Sequence, residues 1–394
     1  MMFDNLLFAL GSAIALVTLP GTVVLMLLSA GALLPMPRRD SPAEHHNAET
    51  GRIAVLVPAH NEAAVLPHTL PSLLKAVLQD NATDLWVIAD NCSDQTDRVA
   101  RQAGANVLVR KSDTLRGKGY ALEHAFTELL KRGYAWVVVI DADSTVDANF
   151  ISTLRSAMHP GREALQACYL SEPATTPRGR VARLAQWGYN LVRPLGRVRL
   201  GFSAGLLGNG FALKRALIER LPYCAHSVVE DLEYHIMLVR AGVKVHFVPE
   251  AQVLGEIAET SDGARTQRTR WEGGRLRMVR ELVWPLTREW FAGRRQVAEA
   301  LADLLLLPLG LHVLLLACSI GIGGSFGLVA GGLGLMAILT YVVAILVRGP
   351  TQPADVLALV ASPLYLAWKV ALLPATIAQS RKKAGWQRSQ RNKA

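Results

Sequence analysis

Two aspartates one residue apart, Asp141 and Asp143, close an unbroken apolar run, Val137-Val138-Val139-Ile140. Four consecutive β-forming residues predict a strand buried on both faces, the kind found in parallel sheets. A strand ending in carboxylates delivers them to the sheet's carboxyl edge, where α/β folds bind ligands. Hard carboxylate oxygens there suit a divalent cation that also holds phosphates. Aspartate is equally common where ordinary strands stop, so the surrounding residues decide between the two readings.

Those surroundings alternate apolar runs with longer amphipathic stretches, which predicts βαβ units and a mostly parallel sheet. A strand over 53–57 ends at Pro58 and is followed by a helix over about 62–78. A second strand, 85–89, ends at Asp90. A helix over 94–103, a strand over 106–109 and a helix over 117–132 lead to the run before Asp141. The strand ends at Pro58, Asp90 and Asp141 thus face one crevice. The first carries Val57-Pro58-Ala59-His60-Asn61-Glu62 and the second Ala89-Asp90-Asn91-Cys92-Ser93-Asp94. Carboxylates at such ends can hydrogen-bond a base or ribose hydroxyls. In Arg116-Gly117-Lys118-Gly119 two glycines flank a lysine at a helix start, which would let Lys118 approach a pyrophosphate. A plain loop with a helix cap fits that piece equally well. Neither a G-x-G-x-x-G after the first strand nor a P-loop is present.

Further along, Asp231 precedes a helical pattern and could be an N-cap. Gln267, Arg270 and Trp271 stand at i, i+3 and i+4 and share one helix face. Arg270 offers a cation for developing charge and Trp271 a flat apolar surface. With Arg265, Arg268, Arg275, Arg277 and Arg280 close by, the same helix also reads as a basic amphipathic helix on a membrane surface.

At 394 residues the chain has room for one large domain plus membrane helices. Hydrophobic residues make up 51%, and mean hydropathy is +0.24. The excess sits in residues 6–34 and 297–379, while 50–290 resemble a soluble α/β protein. The four cysteines, Cys92, Cys168, Cys224 and Cys318, lack paired spacing, which excludes a disulfide scaffold and fits a reducing compartment. Net charge is +10. The basic residues cluster beside the apolar stretches, which favours anionic lipid and phosphate over nucleic acid.

Residues 6–34 carry no charge and predict a span kinked at Pro20-Gly21, too long for a signal peptide. Arg38 and Arg39 follow it and place the next domain in the cytoplasm. Two further spans are expected, about 301–320 and 328–347, with Arg294, Arg295 and Arg348 on their cytoplasmic flanks and Gly321-Ile322-Gly323-Gly324 outside. Residues 354–379 are apolar but hold Pro363, Lys369 and Pro374. A basic tail follows, with Arg381, Lys382, Lys383, Arg388, Arg391 and Lys393. An interfacial or re-entrant helix, with Trp368 and Lys369 at headgroup level, keeps that tail cytoplasmic. The expected layout is an N-terminal span over 1–35, a cytoplasmic domain over 50–280, an interfacial helix over 281–300, two spans over 301–347, the re-entrant segment over 354–380 and the tail over 381–394.

The ordered stretches beginning Val57, Ala89, Arg116, Asp141, Gly205 (Gly-Leu-Leu-Gly-Asn-Gly-Phe-Ala-Leu), Val228 and Gln267 resemble a membrane-bound family 2 glycosyltransferase with a GT-A core. That family includes the cellulose, chitin and hyaluronan synthases and many bacterial exopolysaccharide transferases. The most specific mark is Gln267-Arg268-Thr269-Arg270-Trp271, which fits its Q-x-x-R-W signature. The resemblance implies that Asp90 contacts the nucleotide base, with Pro58 and Glu62 on the same edge and Lys118 beside the nucleotide. It implies Asp141 near the donor sugar, Asp143 as ligand of Mg²⁺ or Mn²⁺, and Asp231 as the general base. Gly208, Asn209, Glu230, Gln267, Arg270 and Trp271 would lie toward the acceptor and diphosphate. Many relatives carry two adjacent aspartates where this chain has Asp90-Asn91, so base preference is open. The expected protein is an inverting transferase of a bacterial inner membrane that moves sugar from a UDP-sugar to a lipid-linked saccharide or polysaccharide, with export left to other proteins. A processive β-glycan synthase, a non-catalytic nucleotide-sugar-binding scaffold and a nucleotidyltransferase are the rivals. Three spans are too few for one chain to enclose a secretion channel, and a nucleotidyltransferase would not explain the Q-x-x-R-W helix.

Overall fold

The computed structural model describes residues 2–35, 50–256 and 261–381. Arg38, Arg39, Lys382, Lys383, Arg388, Arg391 and Lys393, which oriented the expected topology, lie outside the described residues. The chain forms two compact units, one of residues 36–172 and 203–257, the other of residues 1–35, 173–202 and 258–394.

The first unit is built on an eight-stranded sheet. Its strands are β1 (Ile53–Ala59), β2 (Thr83–Asp90), β3 (Asn106–Arg110), β4 (Trp136–Val139), β5 (Ser144–Val146), β6 (Ala164–Ser171), β7 (Phe211–Lys214) and β8 (Val245–Gly255). They lie in the order β3-β2-β1-β4-β7-β6-β8-β5. β1 pairs in parallel with β2 and β4, and β2 with β3. Antiparallel pairing enters with β4–β7, β6–β7 and β5–β8, while β6 and β8 are parallel. The parallel half is where the apolar runs were continuous. Val137, Val138, Val139 and Ile140 are fully buried, as a strand covered on both faces requires. Ile140 lies just beyond β4, yet its N–H still donates to the Leu56 carbonyl at 3.0 Å.

The expected helix over 62–78 begins only at Leu66 and runs to Val77. Asn61 sits at φ 57°, and the Glu62 N–H is taken by the Thr96 hydroxyl at 2.8 Å. A left-handed residue cannot continue a right-handed helix, so the chain turns first and Pro67 then starts the helix. Helices Thr96–Gln102 and Lys118–Lys131 follow the expected pattern.

The second unit is helical. Met2–Leu33 is one helix that continues through Pro20. It runs alongside Gly324–Arg348 in the same direction. Gly11 touches the Gly323 backbone at one end, and Arg348 donates to the Ala32, Leu33 and Leu34 carbonyls at 2.7, 3.0 and 2.7 Å at the other. Those carbonyls end the helix without intrahelical donors, and the guanidinium supplies them.

Among the described residues three helical stretches are long and apolar enough to cross a membrane, Asp4–Leu33, Gly324–Arg348 and Pro353–Ala371, and a bent pair of helices would make a fourth if it forms one span. The span expected over 301–320 is broken into two helices, Ala298–Leu305 and Leu309–Ile322, which together remain apolar enough for one broken span. Including the turn that precedes the first, they are bent by 75°. Pro308 at the break has no N–H to carry a helix across, and it holds the preceding residue away from helical geometry. The interfacial helix expected over 281–300 is not a separate element, because Ser261–Phe291 is one helix that carries Gln267 and Trp271 near its start. Lys369, expected at headgroup level, pairs with Glu272 at 2.6 Å with 11% of its side chain exposed. Trp368 lies under the Arg178 guanidinium at 4.1 Å.

Residues 173–202 fall in this unit because glycines let them pack closely on its apolar helices. A Cβ at Gly196 would come within 2.1 Å of the Leu28 carbonyl, and one at Gly188 within 2.4 Å of the Tyr341 hydroxyl.

Candidate active site

Asp141 and Asp143 lie in the turn between β4 and β5, both partly exposed. A buried amide holds that turn. Asn209, with no exposed surface, accepts from the Asp141 N–H at 3.0 Å and donates to the Ser144 hydroxyl at 2.8 Å. Gln166 on β6 fixes Asn209 in turn. Its amide donates to the Asn209 carbonyl at 2.7 Å and accepts from the Leu207 N–H at 2.9 Å. Asn209, expected beside the acceptor, therefore clamps the aspartate turn.

Lys118 begins its helix as expected, after Gly117 at φ 133°. Its amine donates to Asp141 Oδ1 at 2.5 Å and to the Gly208 carbonyl at 2.6 Å, and stands 3.9 Å from Glu230 Oε1. Burial works against the charged amine, but Asp141 and Glu230 outweigh it and hold Lys118 above the ordinary lysine value. Gly119 is needed for packing, since a Cβ there would lie 2.0 Å from the Ala225 carbonyl. Of the two glycines read as clearing a path for a pyrophosphate, one thus serves helix contact.

Gly208 links the lysine to the expected base. Its φ is 76°, and a Cβ would meet Asp231 Oδ2 at 3.0 Å. Asp231 is the second residue of the helix Glu230–Arg240, which Val229 caps, and it accepts from the Leu232 N–H at 2.8 Å. Burial raises the Asp231 carboxyl above its ordinary value, opposed by that N–H and by Lys118. Burial likewise pushes Glu230 up to about 7, against the pull of Lys118 and with the Asp231 charge adding to the rise. Asp141, Lys118, Gly208, Glu230 and Asp231 thus form one connected group.

At the neighbouring strand ends, Asp90 is buried and paired with Arg110 Nη1 at 2.5 Å. These two residues are register partners across β2 and β3. Arg110 was not singled out from sequence; its signal is only its place at the end of the next parallel strand. His60 Nδ1 lies 2.7 Å from the Asp90 carbonyl oxygen. Asn91, at φ 51°, donates to Asp90 Oδ2 at 3.2 Å and accepts from the Ser112 N–H at 2.7 Å. The asparagine that departs from the family's double aspartate fastens the 111–115 loop. Asn61 does the same on β1, accepting from the Ser93 N–H at 2.7 Å. Glu62 is buried at this edge and Pro58 lies within β1, opposite Ile88.

Gln267, Arg270 and Trp271 belong to the other compact unit, on the helix Ser261–Phe291. Trp271 is 36% exposed, and the Arg268 guanidinium stands 5.9 Å from its ring centre.

Among the described residues no group of three or more His, Cys, Asp or Glu side chains is arranged to hold a cation. A Mg²⁺-type ion does not need one, because it keeps waters and takes one or two carboxylates together with substrate phosphates. Asp143 and Asp141 at a partly open strand end fit that donor set. The Ser144 hydroxyl donates to Asp143 Oδ1 at 3.4 Å.

A model of the family described as "Glycosyltransferase like family 2" matches residues 51–274, more than half of the chain. A probable glycosyltransferase of Bacillus subtilis, YdaM, is 26% identical over 241 residues, 59% of this chain and 57% of that protein. The β-monoglucosyldiacylglycerol synthase of Trichormus variabilis is 24% identical over 309 residues, 74% of this chain and 62% of the synthase. The 4,4'-diaponeurosporenoate glycosyltransferase of Staphylococcus aureus is 32% identical over 124 residues, 31% of this chain and 32% of that protein. The chain therefore spans less than two thirds of these relatives' lengths. Among solved structures, the mannosyltransferase PcManGT of Pyrobaculum calidifontis, in complex with GDP-mannose and Mn²⁺, matches with a TM-score of 0.56 at 16% identity, over 95% of this chain and 98% of that one. The sheet has the GT-A fold, and the chain belongs to glycosyltransferase family 2.

Proposed function

We propose that the protein is an inverting, metal-dependent glycosyltransferase that moves one sugar from a UDP-sugar to a lipid-borne acceptor at a bacterial inner membrane. The observation that carries this reading is the connected group at the sheet edge, in which Lys118 and Gly208 tie the donor carboxylate Asp141 to the base Asp231. Asp231 takes the proton of the acceptor hydroxyl as that oxygen attacks the anomeric carbon. The bond from that carbon to the diphosphate breaks on the opposite face, and the nucleoside diphosphate leaves with the electron pair. Displacement of this kind turns an α-donor into a β-linkage. The raised value of Asp231 suits the task, because a carboxylate that binds protons more readily is a stronger base near neutral pH. When bound, the divalent ion would be held by Asp143 and the donor's phosphates and would neutralise the leaving group.

Lipid acceptors are supported by the names of two relatives, a glucosyldiacylglycerol synthase and a diaponeurosporenoate transferase. Three apolar helical stretches support a multi-pass membrane location, with the sheet unit on the cytoplasmic side. The test is a donor screen on purified full-length protein, reading released nucleoside diphosphate with UDP- and GDP-sugars, with and without chelator. Release that requires metal and an added lipid acceptor is expected. Transfer that survives both Asp143→Ala and Asp231→Asn would reject the site.

A further inference from the structure

Residues 173–202 hold arginine at 178, 180, 183, 193, 197 and 199 and no aspartate or glutamate. In the helical unit these cations meet two carboxylates under very different terms. Asp355, fully buried, is bonded by Arg183 at 2.5 Å and Arg180 at 3.2 Å and accepts from the Gln352 N–H at 2.9 Å. That pairing is close and satisfies the carboxylate from three donors, although Arg183 Nε is itself buried without a partner.

Around Asp303 the balance is different. Arg197 Nη1 and Arg275 Nη1 each stand 3.4 Å from its carboxylate oxygens. Arg193 feels the same carboxylate while donating to the Tyr341 hydroxyl. Arg275 turns its other terminal nitrogen to the Asp303 and Leu306 carbonyls, where the helix breaks before Pro308. Asp303 is therefore flanked by Arg197 and Arg275, with Arg193 near enough to feel its charge. Arg197 Nη2 and Arg193 Nε are buried and have no hydrogen-bond partner, and Arg197 as a whole is only 7% exposed. A buried cationic N–H without an acceptor is costly, so two such donors beside surplus positive charge describe a place made for an anion.

We infer that Arg193, Arg197 and Arg275 form a binding site for the phosphate of an anionic membrane lipid. Guanidinium forks match phosphate oxygens in geometry and charge, and one phosphate could take both orphaned donors. The lipid source follows from what carries the arginines. Gly196, between two of them, rests on the Leu28 carbonyl of one apolar helix. Arg193 is fastened to Tyr341 on another. Basic sites between membrane-spanning helices bind anionic headgroups in this way. The site is independent of the sugar-transfer reaction.

The test uses the full-length protein, stripped in detergent and reloaded with phosphatidylglycerol or phosphatidylcholine. Retained lipid is counted by native mass spectrometry, and melting is followed in parallel. Phosphatidylglycerol should be retained and raise Tm by about 3 °C or more, with no such rise from phosphatidylcholine. Arg197→Gln and Arg193→Gln should each lower retention by about tenfold, and Arg197→Lys, which keeps the charge but loses the fork, by less. Equal retention and equal Tm of the wild type in the two lipids would overturn the proposal without recourse to any variant. A Tm rise with millimolar inorganic phosphate that matches the lipid's would overturn the lipid assignment in favour of free phosphate.

Discussion

The sheet unit and the helical unit both bury charge, but they treat it differently. At the sheet edge the partners are close: Asp90 and Arg110 at 2.5 Å, Lys118 and Asp141 at 2.5 Å, with Asn209, Asn61 and Asn91 fastening the turns between them. In the helical unit Arg197 and Arg275 stand 3.4 Å from the Asp303 carboxylate, and Arg193 and Arg197 each keep one buried donor without an acceptor. A preorganised site acts through fixed dipoles and charges that need no rearrangement during reaction. The looser cluster is completed by a ligand instead. Close pairing is not confined to the sheet edge, since Arg183 and Asp355 stand 2.5 Å apart in the helical unit, so the contrast is between the Lys118 and Asp303 clusters themselves.

The sharpest way to break this contrast is at the base. Asp231→Asn should lower kcat by about 10²–10⁴-fold with donor affinity nearly unchanged, measured by nucleoside diphosphate release and donor titration. A loss confined to KM would move Asp231 from chemistry to binding.

Packing at the same edge gives the next effect. Gly119→Ala places a methyl 2.0 Å from the Ala225 carbonyl, and the helix start must shift. A stability loss of about 1–3 kcal/mol is expected, read as a lower denaturation midpoint. An unchanged midpoint would mean that the helix and the 225 loop move apart freely.

Glu230 tests the electrostatics through pH. Its folded value of about 7 lies above the ordinary 4.5, so the folded protein holds this proton more tightly than the unfolded chain does. The associated stability is complete below the ordinary value, declines as pH rises toward about 7, and is gone above it. Glu230→Gln removes that decline. Its Tm relative to wild type should therefore climb between about pH 5 and pH 8, by about 3 °C or more. A difference that stays flat with pH would show the carboxyl to be unperturbed.

Arg110→Lys keeps the charge beside Asp90 but cannot reproduce the fork that also donates to the Leu115 carbonyl at 2.8 Å. Donor KM should rise about tenfold, with kcat within about twofold, if Asp90 reads the base. In the helical unit Thr22→Val removes only the 3.0 Å hydrogen bond to His312, and a loss of about 1 kcal/mol or less is expected.

Much of the sheet edge was legible before folding. Continuous apolar runs marked β1, β2 and β4, and each ended on the residues now found at the edge, because a strand buried on both faces has no polar positions until it stops. Arg110 was missed because its role depends on which strand lies next to β2, a fact of register. Asn209 was read toward the acceptor because a Gly-Asn-Gly loop says nothing of where its amide points. The bent pair at Pro308 carried a visible proline, but hydropathy averaged over a window hides one broken turn.

By itself, then, the sequence determined the order of the first four strands and the helices between them, the carboxylates at the strand ends, the apolar stretches and the family. Those follow from local periodicity and from motifs within a few residues. Only the tertiary structure decided that Lys118 turns to Asp141 and Gly208, that Asn209 clamps the aspartate turn, and that Arg197 and Arg275 meet at Asp303. Electrostatic and hydrogen-bond partners are chosen by distance in space, and no local pattern records which distant residue will arrive within 3 or 4 Å.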